Sequence, residues 1–341
     1  MSMVWSALIL LCLLMYVLLD GYDLGLGVAM LFERDGRHRR QMLEQVAQAW
    51  DGNETWLVLL AVSLWAGFPL AFGTILPHAY LALVVMLFSL VVRGVSVEMA
   101  SQAPAAPRWE RAFAIASLFV ALSQGVVLAT LTEKLAVVNG AFSGSSFGSI
   151  GWFALPAAAT VTSLYLAMGY AYTKLHATGE LRATSARRGL VSTVVAAALI
   201  AVSLGAVNAT AAPLDLHTPG RAIGFVGLLL FAAAGLGMAV VTLRPASSYD
   251  ALPLAGLTTA VVALLIAVVV ARAPVIVPPS LTVANSVSPS TTMVFLAVGV
   301  GLNVPLLLFY SWFSHHAFGR PASSAGDSPT RTLLGATDGH H

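Results

Sequence analysis

The chain has 341 residues, 58% of them apolar and only 9% charged, with a mean hydropathy of +0.85 and a formal net charge of +2. A polypeptide of that composition has lipid as its main solvent, and so small a net charge excludes a nucleic-acid-binding surface. The single cysteine, Cys12, excludes an intrachain disulfide and a cysteine-ligated metal site.

A helix crosses the hydrocarbon core with about 20 predominantly apolar residues. Nine runs meet that need, near 4–32, 51–73, 77–98, 111–131, 150–172, 189–211, 222–243, 253–272 and 291–314. Continuous Ala, Leu and Val without a period of two predicts helices rather than barrel strands, hence an all-α polytopic bundle. The first run lacks a basic leader and a small-residue cleavage site, and it stays apolar past its charges, so it reads as a retained span rather than a signal peptide.

Charge enters the first three runs in an unusual way. Asp20-Gly21-Tyr22-Asp23-Leu24-Gly25-Leu26-Gly27 closes the first, and Trp50-Asp51-Gly52-Asn53-Glu54-Thr55-Trp56 opens the second. A carboxylate at mid-helix costs roughly 2.5–3.5 kcal/mol on insertion scales, so such groups face a protein interior or a water path. Asp20 and Asp23 share a helix face, being about 60° apart, and Gly21, Gly25 and Gly27 beside them admit a neighbouring backbone. Asp20 also reads as a solvating group at the head-group level. Asp51 and Glu54 have the same spacing, which equally fits a helix cap with a capping box. Trp50 reads as part of this segment or as an interfacial anchor. Arg93 and Glu98, at the inner end of the third run, lie about 140° apart on one helix and therefore each look to another helix for a partner.

The remaining runs carry little charge. The connections 132–149 and 273–290 are the longest on one side, and the stretch from Gly319 onward, rich in Ser, Gly, Pro and Asp, reads as a disordered tail ending in His340 and His341. The chain thus divides into a membrane domain, 1–318, and a tail, 319–341. Alternate connections hold fourteen and three of the 17 basic residues, with Lys134, Arg221 and Arg272 as the minority. The basic side is cytoplasmic, which puts the N-terminus outside and the C-terminus inside. On that topology Asp23, Asp51, Glu54, Arg93 and Glu98 gather toward the cytoplasm as an acidic, hydrated inlet through which protons can pass. A haem iron needs an axial ligand, and His78, the one histidine within a run, reads as an interfacial or packing residue, as do the methionines.

At these residues the chain resembles subunit II of the cytochrome bd quinol oxidases. The resemblance rests on the stretches at 20–27 and 50–57, the Arg93–Glu98 region and the segment 278–286, and it extends over residues 1 to about 320. It implies nine transmembrane helices and an obligate pairing with a haem-bearing subunit I, which holds haems b558, b595 and d. It further implies a role in supporting that partner and supplying a cytoplasmic proton path and, in some members, a path for dioxygen. Quinol is the implied substrate, membrane lipid and quinone are the implied surroundings, and a small accessory subunit is left open. Carried over residue by residue, the proton-path aspartate falls on Asp51, the inner-end acid of the third helix on Glu98 and the first-helix aspartate on Asp23. Asp20, Trp50, Glu54 and Arg93 stand beside them in support. Glu98 replaces an aspartate of well-known relatives, and Tyr22 stands where phenylalanine is common. The expected whole is therefore a subunit of a quinol:dioxygen oxidoreductase in the bacterial cytoplasmic membrane, binding no cofactor or metal itself. A transporter or channel working alone and a pure scaffold are the competing readings.

Overall fold

The computed structural model describes residues 2–47, 50–102, 106–135, 137–138, 141–145, 151–210, 212, 214–279 and 281–318. The tail 319–341, with His340 and His341, lies outside the described residues, as do residues 136, 139, 140 and 146–149 of the connection 132–149. In chain order the elements are α1 (Ser2–Met30), α2 (Gly36–Val46), α3 (Trp50–Gly67), α4 (Pro69–His78), α5 (Tyr80–Gln102) and α6 (Ala106–Thr130). A hairpin, β1 (Val137–Val138) with β2 (Ala141–Phe142), leads to α7 (Ala154–His176) and α8 (Gly179–Ala206). Then follow a 3₁₀ turn (Val207–Ala209), α9 (Pro219–Thr242), α10 (Leu252–Arg272), a hairpin of β3 (Val275–Val277) with β4 (Leu281–Thr282), α11 (Val283–Ser286) and α12 (Ser290–Phe318).

Seven of these helices are long and apolar enough to cross a membrane among the described residues: α1, α5, α6, α8, α9, α10 and α12. Two of the nine expected runs fall short of that measure. The run 51–73 opens on the polar Trp50–Glu54 stretch and is broken at Phe68, where α3 ends and α4 begins, with Pro69 in the first turn of α4. Proline is tolerated there because its missing N–H would be unpaired anyway. The expected start of the next run at Pro77 lies inside α4, and α5 begins only at Tyr80. The run 150–172 becomes α7, whose apolar residues alternate with Thr160, Thr162, Ser163, Tyr165, Tyr170 and Tyr172.

α1 is the hub, packed against α3, α6 and α7. Its second half, Asp20 to Met30, is buried without interruption. Leu24, Leu26 and Met30 meet Phe113 and Val120 of α6 and Leu164 and Met168 of α7 in the main core. The α1–α7 contact is backbone on backbone, since a methyl group on Gly25 would sit 1.6 Å from the carbonyl oxygen of Tyr165 and one on Gly169 would sit 2.2 Å from Leu26 N. Only glycine permits that approach, which is how small residues bring helices together in lipid, where no hydrophobic drive exists between them. Outward-facing side chains such as Phe88, Leu155 and Phe295 are large, apolar and exposed, as a lipid-facing surface requires.

The two ends of the bundle are built differently. At one end α2, absent from the expected elements, lies against the bundle by Met42, Leu43 and Val46. Asp35 caps it by accepting from Arg37 N at 2.8 Å, and that bond holds the Asp35 carboxyl below its ordinary pKa. Nearby, Glu33 meets Arg188 at 2.9 Å and Arg39 meets Glu110 at 3.1 Å. At the other end backbone bonds tie the connections together, with Leu135 N, shortly before β1, donating to Pro278 O in the turn after β3 at 3.1 Å and Ala212 N to Thr132 O at 3.0 Å.

Candidate functional site

Asp20 and Asp23 of the first expected run and Glu54 of the second converge on Arg93 of the third. This arginine is fully buried near the middle of α5. Its guanidinium faces Asp20 at 2.8 Å, Asp23 at 3.9 Å and, across from the start of α3, the Glu54 carboxylate. Asp20 and Asp23 are themselves fully buried, whereas the Glu54 side chain is 21% exposed. The helical spacing explains the arrangement, because positions three apart on α1 present both aspartates to the same neighbour. Arg93 also lies 5.6 Å from the Phe113 ring centroid, a cation–π distance.

The polar residues around the cluster are organised by it. Asn53 Nδ2 donates to Asp23 Oδ2 at 2.7 Å and to the Tyr22 hydroxyl at 3.2 Å, which gives that hydroxyl a partner. Tyr22 stacks on Tyr172 of α7 with ring centroids 4.3 Å apart. Trp50 lies over α5 beside Arg93, where a methyl group on Gly94 would come within 3.0 Å of its ring. Trp56 is fully buried and donates from Nε1 to Ser311 Oγ at 3.2 Å, tying α3 to α12.

Two sequence expectations need correction. Glu54 does not close a capping box at the start of α3, because its carboxylate is turned to Arg93, an attraction that a low-dielectric interior makes stronger than a surface backbone bond. Nor does Asp20 sit at a head-group level: it is the nearer of the two α1 aspartates to Arg93 and has no exposure. Asp51 and Glu98, expected within the same inlet, are both exposed. Asp51 lines a cleft of about 450 Å³ between α3 and α12, together with Thr55, Leu307 and Tyr310. Glu98 stands on α5 five residues beyond Arg93, toward the same end of that helix as Gln102. His78 is engaged by Glu133 at 2.9 Å and meets the Phe142 ring edge-on.

A further polar chain was not anticipated. Gln124, in the last third of α6, donates to the Tyr16 hydroxyl at 2.7 Å and accepts from the Tyr165 hydroxyl at 2.6 Å. Tyr16 stands one helical turn before Asp20 on α1, so the chain abuts the arginine cluster. A lone glutamine inside an apolar run was the available signal. Among the described residues no group of three or more His, Cys, Asp or Glu side chains is placed to hold a metal ion.

Residues 1–318 match the family model described as cytochrome bd terminal oxidase subunit II. The chain is 26% identical over 204 residues to cytochrome bd-I ubiquinol oxidase subunit 2 of Escherichia coli strain K12, covering 56% of this chain and 54% of that protein. It is likewise 26% identical over 211 residues to cytochrome bd ubiquinol oxidase subunit 2 of Bacillus subtilis strain 168, covering 59% and 62%. The chain thus spans about half the length of the curated relatives it matches. In fold it is similar to a chain of the bd oxidase from Geobacillus thermodenitrificans, with a TM-score of 0.74 at 14% identity over 93% of this chain and 98% of the other. With a family match that runs through every element from α1 to α12, the chain, a multi-pass protein of the bacterial cytoplasmic membrane, belongs to the cytochrome bd terminal oxidase subunit II family.

Proposed function

We propose that this chain supports the haem-bearing subunit I of a membrane-bound quinol:dioxygen oxidoreductase and leads protons from the cytoplasm toward it. The observation that carries the reading is the buried Arg93 facing three carboxyls from two other helices. One guanidinium balances one carboxylate, so the group is electroneutral only when the other two hold protons, and it can therefore store and release them. Asp23 Oδ1 and Arg93 Nε have no hydrogen-bond partner among the described residues, and polar atoms of that kind bind internal water. Proton relay through carboxyls and water is what such buried intramembrane acids serve.

In this reading Asp51 and Glu98 are the exposed entrance, Glu54 stands half-way in and Asp20 and Asp23 form the buried store. The nine-helix topology, with the N-terminus outside, the membrane domain 1–318 and the tail 319–341 on the inner side, supplies the direction. The chain is silent alone, and haems b558, b595 and d belong to the partner: His78 is already bonded to Glu133, which leaves it poorly placed as an axial ligand.

The test is oxygen consumption by the purified complex. Asp23→Asn keeps shape and the Asn53 contact but cannot carry a proton, and it should lose activity by about 10² or more while keeping its haem content. Asp51→Asn should lose less, because water bypasses a residue at an exposed mouth. An assembled and fully active Asp23→Asn complex would leave the chain a scaffold.

A further inference from the structure

A second polar site lies away from the Arg93 cluster, in a cleft of about 400 Å³ where α1 ends and α6 begins. Its apolar wall is Leu31 and Ile115, which are 39% and 47% exposed. Its rim holds Arg34, Arg39 and Arg111, with Glu110 beneath. The two acids of this region are already engaged. Glu110 pairs with Arg39 at 3.1 Å, and Glu33 pairs with Arg188 at 2.9 Å while its other oxygen accepts from the backbone of Arg34 and Asp35. The guanidinium groups of Arg34 and Arg111, both exposed, have no ion pair among the described residues. The cleft therefore offers two uncommitted cations beside an open apolar groove, where α1 ends and α6 begins, both helices long and apolar enough to cross a membrane.

That combination selects a ligand with an anionic head and an apolar body. We propose that the cleft is a binding site for an anionic glycerophospholipid, with its phosphate between Arg34 and Arg111 and its first acyl segments against Leu31 and Ile115. Guanidinium groups match phosphate oxygens in charge and in fork geometry, and basic pockets between membrane helices take lipid head groups for that reason. Lipid is favoured over a soluble anion because the wall beneath the arginines is open to the acyl region and would otherwise expose apolar surface beside charge. The bound lipid would brace α1, the helix that carries Asp20 and Asp23, against α6.

The complex, purified in mild detergent and stripped of lipid, is titrated with dioleoylphosphatidylglycerol or dioleoylphosphatidylcholine and followed by native mass spectrometry. The wild type should take up one phosphatidylglycerol in preference to phosphatidylcholine. Arg34→Gln with Arg111→Gln should weaken that uptake about 30-fold, roughly fivefold for each arginine. Arg34→Lys with Arg111→Lys keeps both charges and should retain most of it. Arg37→Gln with Arg40→Gln, on the outer face of α2 and away from the cleft, should change nothing. Equal affinity for the two lipids, undiminished phosphatidylglycerol binding in the glutamine pair, or the same loss in the Arg37 and Arg40 control would each overturn the proposal.

Discussion

Arg93 is the residue on which the buried half of the site depends. Its desolvation is compensated by Asp20, Asp23 and Glu54, and removing one member of a buried charge group leaves the others uncompensated, typically at about 3–5 kcal/mol. Arg93→Met should therefore lower the thermal stability of the purified complex and its yield sharply. Arg93→Lys, which keeps the charge but loses the planar fork, should be intermediate. Scanning fluorimetry of the assembled complex decides it, and an Arg93→Met complex as stable as the wild type would mean that the arginine does not hold the carboxyls. Asp20, Asp23, Glu54 and Arg93 were each legible in the sequence as charges out of place in apolar runs. The topology gathered Asp23, Glu54 and Arg93, but Arg93 as their centre and Asp20 as its nearer aspartate were not legible, because a helix spacing says which residues share a face and is silent on which neighbour the face meets. Asp51 shows the converse: expected beside Glu54 in the same inlet, it is exposed and lines the cleft between α3 and α12 instead of facing Arg93.

The elements are joined by a second set of charges in the loop between α9 and α10. Asp250 accepts from Lys174 Nζ of α7 at 2.8 Å and from Arg182 of α8 at 2.7 Å, so this loop clamps the α7–α8 pair to the α9–α10 pair. Burial acts to raise the Asp250 carboxyl, but the hydrogen bonds and charges of Arg182 and Lys174 outweigh it and leave it below the ordinary value of 3.8. A carboxyl held low when folded contributes stability that is fully present above its ordinary pKa and disappears as the pH falls through the folded one. Thermal unfolding of the purified chain between pH 6 and pH 3, as a range of about three units, should show the wild type losing its advantage over Asp250→Asn only below about pH 4. An advantage that persists unchanged at the acid end would show that Asp250 is not held ionised by its partners. At this scale the sequence announced Gly21 and Gly25 as close-packing positions, and α1 does meet α7 there. It did not announce the break at Phe68 or the amphipathic α2, because both interrupt a hydropathy pattern that a window of about 20 residues averages away.

At the scale of the whole molecule most of the basic residues lie at the end opposite the two hairpins, with Lys134, Arg221 and Arg272 as the exceptions, and this asymmetry underlies the proposed orientation. One correction sharpens it: Arg93, counted among the loop residues, is inside the bundle, and the imbalance stands without it. In intact cells Ser143→Cys, beside the β1–β2 hairpin, should react with an impermeant maleimide, and Glu180→Cys, at the start of α8, should react only after the membrane is opened. Native Cys12 is fully buried and should stay silent in both. The reverse pattern would invert the molecule and turn the inlet to the outside. Composition determined that the chain lives in lipid, and its continuous apolar runs without a period of two determined that it is helical, because the cost of unpaired backbone in hydrocarbon leaves only helices and closed barrels. The placement of charge in the first hundred residues likewise determined where function would concentrate, since misplaced charge in such runs is expensive enough to need a reason. Only the tertiary structure decided that the acids divide into a buried group on Arg93 and an exposed pair, Asp51 and Glu98, and that Tyr16, Gln124 and Tyr165 join in a chain. Those outcomes depend on which faces of α1, α3, α5, α6 and α7 meet, and that choice is made by close packing between residues far apart in the chain, which no local pattern records.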